Sequence, residues 1–125
     1  MATLKWANAK GFKAILFGPK IQYDSPLPRI LVSALRAGNQ TIPDQHRPAM
    51  YEQLDHLMLI RASELNVEYI SFFDLLCKGK VCRHTDDDGG PLSFDMGHLT
   101  KSGSTYVAER LREMLGRHAA ELALP

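Results

Sequence analysis

The sequence predicts an α/β fold, three-layered in design, with two parallel strands and at least two substantial helices. Three observations carry this. Two short apolar runs occupy residues 12–19 and 67–73, the second rich in β-branched and aromatic side chains, which suit a buried, pleated surface. The connection between them contains apolar residues at helical spacing. Strand, long crossover with a helix, then strand is the pattern of a parallel βαβ unit, because parallel strands cannot be joined by a tight turn.

The elements follow in order. Residues 1–10 have no continuous apolar stretch of the signal-peptide kind and read as the last turns of a helix that begins upstream. The first strand is entered through Gly11 and stopped by Gly18-Pro19. Residues 22–28 and 83–91, with their proline, glycine and aspartate clusters, read as loops. From Tyr51 to Leu65 a helix is predicted by the stripe Tyr51, Leu54, Met58, Ala62, Leu65. Pro48 is placed to open that helix and Asn66 to close it. A final helix starts at Thr100 as its cap and runs through Val107, Leu111, Met114 and Leu115 toward His118. Gly103 in its first turn would permit close packing on the sheet.

Both strand runs are apolar along their whole length, as in sheets covered on both faces. Two such strands leave edges that need a neighbour. Residues 1–125 are therefore expected to form a single C-terminal portion of a larger doubly wound domain, or a piece completed by self-association through its strand edges.

Composition bounds the function. The chain has 125 residues, 45% hydrophobic and 23% charged, with net charge +1, values of one ordinary globular unit. Near neutrality gives no electrostatic reason for a nucleic-acid or anionic-membrane partner, and Lys10, Lys13 and Lys20 lack aromatic interleaving. No apolar run approaches the roughly 20 residues that cross a bilayer. Trp6 and Tyr23 are expected to pack against the first strand.

Cys77 and Cys82 flank a short polar loop centred on glycine. A local disulfide, which would imply an oxidising compartment, is the favoured reading; free thiols and a metal site that adds His84 are the alternatives. Asp86-Asp87-Asp88-Gly89-Gly90 lacks the alternating spacing of a calcium loop and reads as a solvated turn. His46 and His56 have no second ligand at helical spacing and read as surface histidines. No resident metal or cofactor is expected.

The chemistry concentrates in Phe94-Asp95-Met96-Gly97-His98-Leu99-Thr100. A carboxylate and an imidazole stand three residues apart on a loop at a helix start, where α/β folds display catalytic groups. Such a pair is the base half of a serine hydrolase system: the imidazole takes the hydroxyl proton and the carboxylate fixes its tautomer. The serines, at 25, 33, 63, 71, 93, 102 and 104, sit in no nucleophile-elbow or Gly-Asp-Ser setting.

Asp95-Met96-Gly97-His98-Leu99-Thr100 with Gly103 resembles the D-x-x-H segment that ends SGNH (GDSL-like) hydrolase domains. Residues 11–19 with Tyr23 and Pro28 are similar to the strand and loop preceding that segment in SGNH domains attached to membrane acyltransferases of acyltransferase family 3. The Cys77–Cys82 loop and the acidic, glycine-rich 86–90 segment fit the same pattern. The resemblance implies a flavodoxin-like SGNH fold, His98 as general base and Asp95 as its orienting carboxylate. It implies acyl transfer to, or removal from, a carbohydrate or cell-envelope glycan by the intact parent, a membrane protein whose SGNH part is periplasmic or otherwise extracytoplasmic. In that family the Gly-Asp-Ser nucleophile and the oxyanion-hole segments lie upstream of the part matched here, so this chain alone is expected to be inactive. The contrasting possibility is a non-catalytic α/β interaction module. Geometry separates the two: catalysis needs His98 Nδ1 within reach of Asp95 and Nε2 facing an open cleft.

Overall fold

The protein is described from a computed structural model that covers the backbone of residues 1–122 and the side chains of residues 1–117. Helix α1 (Ala2–Ala9) leads to strand β1 (Ile15–Phe17), then helices α2 (Leu27–Ala37), α3 (Ile42–Gln45) and α4 (Ala49–Glu64). Strand β2 (Glu68–Ile70) and helix α5 (Phe72–Leu76) precede a hairpin of β3 (Cys77–Lys78) and β4 (Val81–Cys82), and α6 (Lys101–Leu122) closes the described chain. Strands β1 and β2 pair in parallel, with Ile15 opposite Glu68 and Phe17 opposite Ile70. Among the described residues no helix is long and apolar enough to cross a membrane.

The strands are shorter than the apolar runs that predict them. After Ile70 the chain turns into α5, because Ser71 Oγ accepts the Asp74 N–H at 3.2 Å and caps a helix over residues expected to extend the strand. The connection between the strands carries a helix in its first half as well. Pro28 sits in the first turn of α2, Leu27, Ile30 and Ala34 bury its inner face, and Gly38 closes it in the left-handed conformation.

Asn66 closes α4 with a φ of 54°, and Pro48 opens it. The buried line of α4 differs by one residue from its apolar stripe: Asp55 is buried while Leu54 is exposed. The reason is two hydroxyls at the end of β2. Asp55 accepts from Tyr69 Oη at 2.6 Å and from Ser71 Oγ at 2.7 Å. Burial and this carboxylate both push the Tyr69 hydroxyl pKa up. Gly18 makes the approach possible, since a Cβ there would strike Tyr69 Oη and Asp55 Oδ1. Asp55→Ala strands two hydroxyls and should cost about 3 kcal/mol; urea unfolding with a loss below about 1 kcal/mol would contradict this arrangement.

The core lies beside the sheet rather than across it. Ile21, Tyr23, Leu27, Ile30, Phe73, Leu76, Cys82, Leu92, Tyr106 and Val107 form one buried cluster, joining the 21–27 segment, α2, α5, the hairpin and α6. Ile15 and Phe17, at 42% and 43% exposed, leave one face of β1 only partly covered by the described residues, with Phe72 against Phe17. Gly103 packs against the backbone carbonyl of Leu92, not against the sheet as expected from sequence. Trp6 lies near Phe12 just before β1, at 6.0 Å between ring centroids. Tyr23, expected against that strand, is instead buried in the cluster with its hydroxyl on His84.

Candidate active site

The loop from Leu92 to Leu99 is shaped by its own backbone before any side chain acts. Phe94 N–H donates to His98 O at 3.0 Å, and Thr100 N–H donates to Leu92 O at 2.9 Å. Thr100 Oγ1 donates to Pro91 O and accepts the Gly103 N–H, both at 2.9 Å, which fixes the first turn of α6 under the loop. From outside, Tyr23 N–H reaches Met96 O at 2.8 Å and Leu27 N–H reaches Asp95 O at 3.1 Å.

Asp95 and His98 come together on this frame. Asp95 Oδ1 accepts two backbone N–H groups, from Gly97 at 2.9 Å and His98 at 2.7 Å. Its other oxygen lies 2.7 Å from His98 Nδ1. The Gly97 and His98 amides, followed by the His98 ring, hold the Asp95 pKa down to about 2. An ionised carboxylate only accepts, so the neutral imidazole carries its proton on Nδ1 and presents the Nε2 lone pair. The Phe94 ring stacks on the imidazole, 5.9 Å between centroids and 18° between planes. The His98 side chain is 71% exposed, and among the described residues no hydrogen bond occupies Nε2; the ring stands on an open surface rather than in a cleft formed by this chain. Among the described residues no serine hydroxyl hydrogen-bonds to His98.

The depressed carboxylate links this loop to pH. Stability gained from binding Asp95 as an anion is fully present above its ordinary value of 3.8 and is lost as pH falls toward about 2. The stability gap between wild type and Asp95→Asn should therefore close over that interval. Chemical unfolding at successive pH values would read it, and a gap independent of pH would contradict the assignment.

The other sequence candidates lie elsewhere. Cys77 and Cys82 form a disulfide across the hairpin, with Gly79 at a φ of 60° in its turn, so neither sulfur is a thiolate that could join His84 on a metal. Asp86 accepts the Asp88 and Gly90 amides within its own turn. His46, its side chain 39% exposed, pairs at the surface through Nδ1 with Asp24 Oδ1 at 2.6 Å, and His56 is exposed on α4. The sequence gives no sign of the partly buried group Tyr23, His84 and Asp44, because Tyr23 and His84 are 61 residues apart in the chain.

The family model described as the SGNH domain fused to AT3 domains matches residues 1–113. The chain belongs to this SGNH family. Its fold is similar to that of the periplasmic domain of a lipopolysaccharide acetyltransferase from Salmonella ser. Paratyphi A, with a TM-score of 0.73 and 23% sequence identity. The likeness covers 89% of this chain and 45% of the solved one, so this SGNH chain spans less than half the length of that neighbour. No curated protein matches it. The Asp95–His98 loop lies within the residues that this family model matches, with its two side chains in contact.

Proposed function

We propose that this SGNH chain supplies the base and its orienting acid for acyl-ester chemistry, the transfer of an acyl (acetyl) group to, or its removal from, a hydroxyl of a cell-envelope glycan. The observation that carries the proposal is the 2.7 Å contact between His98 Nδ1 and Asp95, with Nε2 left open. The step it suits is removal of a serine proton by Nε2 as the serine oxygen attacks the acyl carbonyl. The imidazolium, steadied by Asp95, then returns the proton to the departing oxygen as the acyl-serine forms. A second hydroxyl, of sugar or water, repeats the proton transfer and takes the acyl group away.

The serine would come from polypeptide outside these 125 residues. The much longer solved neighbour supports this, as does the partly uncovered apolar face of β1, which a further helix of the same domain would cover. The SGNH–AT3 pairing and the neighbour's periplasmic setting support a place outside the cytoplasm, as part of a membrane protein. For the chain on its own, self-association through the strand edges is the corresponding proposal, and sedimentation as a monomer alone at high concentration would contradict it. The non-catalytic module is disfavoured because such a module has no need to aim His98 at a carboxylate.

The test is an aryl-acetate hydrolysis and acetyl-transfer assay on this chain beside an N-terminally extended protein. The extended protein should turn over with dependence on His98 and this chain should not. Turnover by the short chain that disappears in His98→Ala would overturn the proposal of an outside serine.

A further inference from the structure

We infer that Tyr23 and His84 form a clamp that holds the loop on both sides of Asp95, making them positioning residues for the chemistry proposed above, on which this inference rests. Their side chains meet each other, Tyr23 Oη to His84 Nδ1 at 2.8 Å. Their backbones meet the loop. His84 O accepts the Leu92 N–H at 2.9 Å, and Tyr23 N–H donates to Met96 O at 2.8 Å. Asp95 lies between those two anchor points. One side-chain hydrogen bond therefore closes a ring that contains the carboxylate.

The clamp is itself fixed to the disulfide hairpin. Asp44 Oδ1 accepts from Cys82 N at 3.1 Å and from Arg47 Nε at 3.2 Å, and Arg47 Nη2 donates to Lys80 O at 2.8 Å. His84 Nε2 faces the same Asp44 oxygen at 3.4 Å. His84 Nε2 faces the Asp44 carboxylate, which can only accept, so the ring proton belongs on Nε2 and Nδ1 accepts from Tyr23. Burial raises the Tyr23 hydroxyl pKa, which keeps that hydroxyl protonated to donate. The hairpin and α3 are thus joined through Asp44 and Arg47, and His84 Nε2, which makes no hydrogen bond of its own, lies against that carboxylate.

The pair needs such support. His98 is mostly exposed, so packing on its own ring is limited to the Phe94 stack. Its aim depends on the loop backbone, and productive proton transfer tolerates errors of only about half an ångström.

Histidine-ring nitrogen NMR and amide exchange on this chain test the clamp without any nucleophile. Tyr23→Phe removes only the hydroxyl. The Gly97 and His98 amides should then exchange faster by on the order of fivefold, the effect of one net hydrogen bond, and the His98 ring should lose its pure Nδ1-protonated signature. Gly18, whose N–H bonds to Ile70 O at the end of the sheet, should exchange as before. His84→Ala should match Tyr23→Phe, while His84→Asn, which keeps an acceptor near the Nδ1 position, should restore wild-type behaviour. Equal acceleration at Gly18, Gly97 and His98, or no change at the loop amides, would overturn the clamp and leave Tyr23–His84 a contribution to stability alone. A wild-type His98 ring without the Nδ1-protonated signature would overturn the reading of the Asp95–His98 pair itself, and the clamp with it.

Discussion

Asp95→Asn in the N-terminally extended protein should lower turnover by about 10⁴-fold, the loss that a wrong histidine tautomer produces in serine hydrolases. The local hydrogen bonds dictate the failure. The Gly97 and His98 amides both donate to Asp95 Oδ1, so the carboxamide must keep its oxygen on that side. Its NH₂ group then faces His98 Nδ1 at the position where Asp95 Oδ2 accepts. A donor there forces Nδ1 to be the acceptor and puts the ring proton on Nε2. The nitrogen meant to take a proton already has one. The fold should survive, because the two backbone bonds persist. Steady-state acetyl-transfer kinetics with circular dichroism on the same variant would check both halves, and a variant retaining a tenth of wild-type turnover would contradict the role given to Asp95.

Gly103→Ala should be the most damaging methyl addition near the site. A Cβ at position 103 would run into the Leu92 carbonyl carbon and oxygen, and backbone cannot turn aside as a side chain can. Leu92 O is also the acceptor of the Thr100 amide at 2.9 Å, and Thr100 Oγ1 caps Gly103. Relief would have to push α6 away from the loop and break the cap. Overpacking of this kind costs typically 1–3 kcal/mol, and loss of the cap adds roughly 1. We expect destabilisation of about 3 kcal/mol and a melting temperature lower by about 10 °C. Thermal unfolding of Gly103→Ala beside Gly116→Ala would show it, since position 116 has open space around its added Cβ. Equal melting temperatures would mean that the close approach is not required.

What the sequence makes legible here is local. Thr100, Gly103 and the D-x-x-H spacing specify a capped helix with two functional groups ahead of it, and every contact involved lies within about ten residues of chain. The α4 helix is legible for the same reason, through its periodicity, and the parallel pairing of the strands through the long helical connection between their apolar runs. Helix α2 carries helix-spaced Leu27, Ile30 and Ala34 with a closing Gly38, yet it is masked by the proline and serine cluster at its start. Asp55 is not legible, because a carboxylate in a helical stripe reads as solvent-facing until Tyr69 and Ser71 are brought to it. Nor is the Tyr23–His84 bond, which exists only after α2, α5 and the hairpin have folded around it.

The central claim is that His98, oriented by Asp95, activates a serine supplied from outside this chain. Labelling of the N-terminally extended protein with a fluorophosphonate, which reacts only with an activated serine, tests it most directly. One labelled serine outside these 125 residues is expected, with a labelling rate that collapses in His98→Ala. Labelling that proceeds unchanged in His98→Ala, or that falls on a serine within this chain, would contradict it.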